Sequence, residues 1–324
     1  MKRFKNILYV ASTGEPGTCG LERAATLAEN NQARLTVVSV VDALPPGTPF
    51  PSPDLDAGAE RVGPTGAVKQ RLDALVAPWQ GRVDIETRIL LGTHYIEVIR
   101  EVLRNGRDLV VKCAGATGLM ERLLGGEDLN LLRKCPCPVW LCKPESPAQY
   151  RRILVAVDPD DAYPAEELAS RRELNLRLLE LATSLALSEF AELHVVHVWS
   201  ALGETAMRGA FLTTPEEQIR DYVNAEQMRR VGLMDRLMGE VAARLGPDTL
   251  AYLKPIQHLP KGWPRDEIPA LAERIGADLT VLGTVARSGI PGLLMGNTAE
   301  ILLHRLSCSV LALKPAGFAT PESL

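Results

Sequence analysis

The sequence predicts two tandem α/β domains, each a five-stranded parallel sheet with helices on both faces. Three observations carry this. The chain contains itself twice: DLVVKCAGATG (Asp108 to Gly118) realigns 170 positions later with DLTVLGTVARS (Asp278 to Ser288), and Gly92, Gly106 and Gly126 land on Gly262, Gly276 and Gly296 at that offset. Short β-branched runs alternate with helical patterns, which implies βα units joined by right-handed crossovers. Both halves close on a short apolar run followed by Lys-Pro, at Lys143-Pro144 and Lys314-Pro315. A length of 324 residues fits two domains, placed at 1–144 and 151–315 with Glu145 to Tyr150 as a short linker.

The first strand is Ile7-Leu8-Tyr9-Val10-Ala11, ending at Ser12. Leu21, Ala24, Ala25, Leu27 and Ala28 then fall on one helical face. Leu35 to Val41 is β-branched and strand-like. The second half repeats the order: Ile153 to Val157 ending at Asp158, a helix with Leu176, Leu179, Ala182, Leu185 and Ala186 on its apolar stripe, then Leu193 to Val198. The copies are offset by 146 positions at the first strand, 158 at the second and 170 from Gly92 onward. The second half therefore carries two insertions of 12 residues, one within Pro159 to Arg172 and one within Ser200 to Leu250. Leu109 to Cys113 and Leu279 to Gly283 are fourth strands. Pro138 to Leu141 and Val310 to Leu313 are fifth strands. Asp42 to Gly66 is rich in Pro and Gly and resists regular structure; it reads as a surface loop or as a lid over the first domain's cavity.

Composition excludes several classes. Apolar content of 46% and charged content of 23% are those of a soluble globular protein. A net charge of −4 argues against nucleic acid as a partner, because such binding needs a basic face. No stretch approaches the length of a membrane span, and the apolar run after MKRFKN is too short for a signal peptide. A cytoplasmic location is expected. Six cysteines in this length do not read as a disulfide framework.

In open α/β sheets a ligand sits beyond the C-terminal strand ends, where strand order reverses. Asp158 and Gly283 end the first and fourth strands of the second domain, with Val157 and Thr284 beside them. Gly283 to Thr298 then crosses the crevice mouth with four glycines (Gly283, Gly289, Gly292, Gly296) and one cation, Arg287. Glycines let backbone amides approach an anion. Asn297 is expected to cap a helix, with Glu300 completing a capping-box-like pair. A helix N-terminus offers unpaired N–H donors and a positive dipole end, which suits phosphate.

These segments resemble the universal stress protein family, specifically its tandem two-domain members of the E kind. The resemblance covers both halves and rests on ILVAVD, LHVVHV, DLTVLGT, GIPGLLMGNTAE and CSVLALKP, with KCPCPVWLCKP in the first copy. It implies a nucleotide α-hydrolase-like fold with strand order 3-2-1-4-5 in each domain. It also implies fifth strands that pair across a two-fold, so a homodimer and an intramolecular pseudo-dimer are both open. ATP-binding members carry G-x-x-G, nine residues, then G-[ST]. Here the spacing is Gly283, Ala286, then Gly296-Asn297. The resemblance implies ATP or another adenine nucleotide in the C-terminal domain only. Asp158 and Val198 would meet the nucleoside, Gly283 the ribose region, and Gly296, Asn297 and Thr298 the phosphates; Val157, Thr284 and Arg287 join them as candidate nucleotide-binding residues. In the first domain Ser12, Cys113 and Ala116 replace the key positions. Glu127 and Asp128 stand where phosphate would lie, and carboxylates there repel a triphosphate.

Other signals are weaker. His194 and His197 lie three apart on a strand and face opposite sides, so they cannot share a metal. Cys135-Pro136-Cys137 lacks paired zinc spacing, and no metal site is expected. Arg151-Arg152 and Arg229-Arg230 read as solvated pairs. No P-loop, nucleophile elbow or catalytic constellation occurs. The function expected is that of a non-catalytic stress-response regulator binding a nucleotide. A slow ATP hydrolase and a carrier of an apolar or lipid-like molecule are the alternatives.

Overall fold

The computed structural model describes residues 4–12, 18–42, 64–114, 126–209, 214–284 and 295–323. The chain divides into two compact units. One holds the N-terminal half through Ala148 together with the tail from Ala319; the other is Gln149–Phe318.

The N-terminal unit runs β1 (Asn6–Ala11), α1 (Thr18–Asn31), β2 (Arg34–Val41), α2 (Pro64–Val76), β3 (Asp84–Leu91), α3 (His94–Asn105), β4 (Leu109–Cys113), α4 (Gly126–Lys134) and β5 (Val139–Cys142). All neighbouring strands pair in parallel, in the order 3-2-1-4-5. Ile7, Leu8, Leu109, Val110 and Val111 have no exposed surface, as expected of central parallel strands covered by helices. Helix α1 packs on β4, β1 and β2 and α2 on β3 and β2, while α3 packs with α4 and on β2 and β3. That segregation follows from right-handed crossovers running in opposite directions from β1.

The C-terminal unit runs β6 (Arg152–Ala156), α5 (Ala165–Glu189), β7 (Glu192–Val196), α6 (Glu204–Met207), α7 (Glu216–Leu245), α8 (Pro247–Leu253), β8 (Ile256–His258), α9 (Pro264–Ile275), β9 (Leu279–Gly283), α10 (Asn297–Arg305) and β10 (Ser309–Leu313). Its strands also pair in parallel, in the order β10-β9-β6-β7-β8, the same 3-2-1-4-5 arrangement counted within the unit. Even the register repeats. Ile7 pairs with Leu35 and Leu109, and Ile153 pairs with Leu193 and Leu279.

The expected stripe of α5 is buried at Leu176, Leu179, Ala182, Leu185 and Ala186, and that of α1 at Leu21, Ala24, Ala25 and Ala28, with Leu27 half-buried at its margin. The third strands, β3 and β8, had no location in the sequence reading. The first insertion lengthens α5 to 25 residues, against 14 in α1, and the second falls in the segment that holds α6 and the 30-residue α7. Gly106 and Gly276 occupy equivalent helix C-caps with left-handed backbones, φ 60° and 61°. Nothing lies within 4 Å of a Cβ placed at Gly106, so its glycine answers to backbone conformation alone.

Gly106→Ala and Gly276→Ala should each lower stability by about 1 kcal/mol, since alanine resists that conformation. Gly126→Ala, at the start of α4 with open space around it, should cost nothing. Chemical denaturation of the three variants checks this.

Candidate functional site

In the C-terminal unit β6 and β9 are neighbours, so Asp158 and Gly283 do flank one set of strand ends. Gly283 is fixed by packing as well as by any ligand. A Cβ there would come within 2.8 Å of Leu174 Cδ2 on α5. The N-terminal unit makes the opposite exchange, with the larger side chain on the strand. There Cys113 ends the strand, and a Cβ on Gly20 of α1 would meet the Cys113 sulfur at 3.0 Å.

Thr284 is buried, and its amide donates to the Leu313 carbonyl at 3.0 Å. Its own carbonyl accepts the Gly296 amide at 2.9 Å. That bond ties the end of β9 to the start of α10. Lys314, also buried, donates from Nζ to the Thr284 hydroxyl at 2.8 Å. A cation is thus built into the hinge between strand and helix. The repeated Lys-Pro marked it in the sequence, but only as a strand end.

Asn297 is not the helix cap. Gly296 is, with extended backbone at φ −77° and ψ 142°, and Asn297 is the first helical residue. The Gly296–Thr284 bond fixes the entry one residue early. The first intrahelical bond runs from the Glu300 amide to the Gly296 carbonyl, so the amides of Asn297, Thr298 and Ala299 have no partner within the helix. A glycine cap supplies no side-chain acceptor for them. The side chains of Asn297 and Thr298 are exposed. Arg287 and Ala286 lie outside the described residues, as does the Pro-rich segment 43–63.

The equivalent helix start in the N-terminal unit is closed by the protein's own charge. Asp128 is buried and ion-paired with Lys112 of β4. The fourth strands match 170 positions apart and the helices after them 171, which places Leu282 and the buried Ala299 at those two positions. Glu127 reaches away to α3, where it accepts the Tyr95 amide at 3.0 Å, and His94 lies 3.9 Å from it. Both carboxylates are therefore committed to internal partners.

Asp158 is gripped by the first insertion. Its carboxylate accepts the Tyr163 hydroxyl at 2.6 Å and lies 3.6 Å from Arg171. Asn175 hydrogen-bonds its backbone in both directions, at 3.0 and 2.8 Å. The Arg171 guanidinium stacks 3.4 Å over the Tyr163 ring. Burial, then the neighbouring Asp158 charge, pushes the Tyr163 phenol well up, so it remains the donor. Asp158 still exposes 46% of its side chain. Val157 and Val198 are buried beside these strand ends.

The two insertions meet each other. Arg230 of α7 is buried, and it pairs with Asp160 at 2.6 Å and Glu226 at 3.3 Å. Arg229 pairs with Asp161. This corrects the expectation of a solvated arginine pair: Arg230 is enclosed because α7 lies against the Asp160 loop. Arg151 and Arg152 are exposed, as expected. The histidines diverge as well. His194 Nδ1 lies 2.9 Å from His258 Nε2 with the rings stacked, whereas His197 feels Asp158 and Arg230. Tyr163, Arg171, Asp160 and Arg230 were all missed as crevice residues. Their one sequence signal was that two insertions of equal length flank the same strand.

The fold and its repeat can now be set against other proteins. The model of the universal stress protein family matches residues 3–143 and 149–314. The chain belongs to the universal stress protein family. Universal stress protein E of Escherichia coli strain K12 is 31% identical over 246 residues, covering 75% of this chain and 72% of that protein. Universal stress protein E of Photorhabdus laumondii is 26% identical over 330 residues, covering 99% of this chain and 98% of that protein. Among solved structures, a putative universal stress protein from Pseudomonas aeruginosa UCBPP-PA14 has a TM-score of 0.65 at 25% identity, covering 96% of this chain and 94% of that one. The family's fold, twice over, is the architecture described above. Among the described residues no helix is long and apolar enough to cross a membrane.

Two outcomes follow from the buried charges. Lys112→Ala leaves Asp128 buried without its cation and should cost about 3 kcal/mol. The paired change Lys112→Leu with Asp128→Ala, which copies the other domain, should restore most of that loss in denaturant melts. His94, His194, His197 and His258 are all held below their ordinary pKa near 6.5, with burial the leading cause. The unfolded chain therefore binds more protons in the window below about 6.5, and stability should rise with pH through that window and level off above it. Denaturation midpoints from pH 5 to pH 8 test this.

Proposed function

We propose that the chain is a non-catalytic stress-response regulator whose C-terminal domain binds an adenine nucleotide or a related phosphate ligand. The observation that carries this reading is the contrast between two equivalent helix starts. At α10 the first turn has a glycine cap, amides at Asn297, Thr298 and Ala299 with no partner inside the helix, and a buried lysine behind its anchoring threonine. At α4 the same turn already holds Asp128, neutralised by Lys112. Phosphate favours the first arrangement, because amides and dipole both point at it. It is repelled by the second.

In this reading Gly296, Asn297, Thr298 and Arg287 contact phosphates, and Gly283 and Thr284 border the ribose. Val157, Asp158 and Val198 meet the nucleoside. Asp158 would accept a ribose hydroxyl with its exposed half while Tyr163 holds the other oxygen in place. Lys314 adds positive potential to the hinge without having to touch the ligand. The proposed output is a change of conformation or of partner, with the ligand bound and released unchanged.

Asn297→Glu combined with Thr298→Asp gives the C-terminal helix an acidic first turn, as its counterpart has. Both positions are exposed, and acids suit a helix N-terminus, so folding should be unharmed. Calorimetry with ATP, ADP and AMP should show one site per chain in the parent protein. The variant should bind at least tenfold more weakly, about 1.4 kcal/mol. Unchanged affinity in the variant would place the ligand elsewhere, and no heat with any of the three nucleotides would overturn the reading.

A further inference from the structure

We propose that Cys135 and Cys137 form a reversible dithiol–disulfide pair in the loop between α4 and β5. Their sulfurs lie 3.6 Å apart. Cys135 is fully buried and Cys137 half-buried, so one sulfur of the pair can meet a small oxidant while the other is held behind it. Two trans peptide steps keep their Cα atoms within about 7.6 Å, and disulfides span about 4.4–6.8 Å. Pro136 between them narrows the backbone choices, and Cys135 is anchored by its amide to the Leu131 carbonyl at 2.9 Å.

The other domain supplies a comparison. Cys308 also precedes the last strand, but its sulfur is 3.2 Å from the Thr280 hydroxyl, and the residue matching Cys135 is Leu306. The second sulfur is particular to the N-terminal domain. A metal ion is a poorer occupant, because among the described residues no group of three or more His, Cys, Asp or Glu side chains converges anywhere. A disulfide needs only the two. The Cys135 contact, with burial, holds the Cys137 thiol well above its usual pKa, so its thiolate fraction at neutral pH is small and oxidation is slow.

The step balances with a peroxide as oxidant. One thiol, as thiolate, attacks a peroxide oxygen; the S–O bond forms, the O–O bond breaks, and hydroxide leaves to become water with the thiol's proton. The second sulfur attacks the sulfenic sulfur; the S–S bond forms, the S–O bond breaks, and the second hydroxide leaves as water with the second thiol's proton. Two thiols are oxidised and one hydrogen peroxide is reduced to two waters. The closed ring is small, so the bond contributes little chain-entropy stabilisation and dithiothreitol should reverse it readily.

The test treats the native full-length chain with hydrogen peroxide, then alkylates it and maps the cysteine peptides by mass spectrometry. The expected product is a peptide lighter by two hydrogens, with Cys135 and Cys137 both resistant to alkylation and both recovered after dithiothreitol. Cys137→Ser should abolish it, and denaturing the chain in urea before treatment should remove its selectivity over the other cysteines. The proposal is overturned if both thiols still alkylate when other cysteines have oxidised. It is equally overturned if the pair passes to sulfinic acid, or if either sulfur bonds Cys113, Cys142 or a second chain instead.

Discussion

The first turn of the helix after each fourth strand is the constraint on which this molecule turns. Every such helix leaves amides unpaired and a positive dipole end pointing at the strand-end crevice. Water, a capping side chain or an anion answers it. In the N-terminal domain the protein answers itself: Asp128 occupies the turn and Lys112 balances it from β4. In the C-terminal domain Leu282 and Ala299 stand at those places, and the turn is held by backbone alone, through the Gly296–Thr284 bond. Duplication supplied two identical geometries, and a two-residue charge exchange separated their chemistry.

The exchange is supported by packing. Where strand four ends in Cys113, α1 offers Gly20; where it ends in Gly283, α5 offers Leu174. A helix and a strand at that distance accommodate one side chain between them, so the glycine moves to whichever side does not supply it. The C-terminal domain also adds material that the other lacks. Its two insertions bind each other through Asp160, Asp161, Arg229 and Arg230, and they bind Asp158 through Tyr163 and Arg171. Exposed ion pairs of this kind contribute little singly. Arg230 is different, because it is buried and its carboxylate partners are what make that burial tolerable. The domain with the open helix start is therefore the one whose neighbouring strand end is most elaborately built.

Much of the fold was legible in the sequence because parallel strands buried on both faces read as continuous β-branched runs, and the repeat let each copy check the other. The third strands were not. β3, DIETRILL, runs Glu-Thr-Arg and then Ile-Leu-Leu without a two-residue period and is only partly buried, and β8 is three residues long with little burial. At the site, the glycine positions and Asp158 were readable from spacing. The cap was not: whether Gly296 or Asn297 opens α10 depends on a hydrogen bond to Thr284, 12 residues away, and capping preferences see only neighbours. The inward turn of Asp128 was equally hidden, because Lys112 lies across a helix–strand packing that local pattern does not encode. Arg230 looked like one of two ordinary surface arginines until α7 was placed against the Asp160 loop.

The central claim is that the two equivalent helix starts differ in their appetite for an anion. Amide hydrogen exchange with and without ATP reads both at once. The account predicts added protection at Gly296 to Glu300 and none at Gly126 to Asn130. Equal protection at the two helix starts, or protection confined to Gly126 to Asn130, would contradict it.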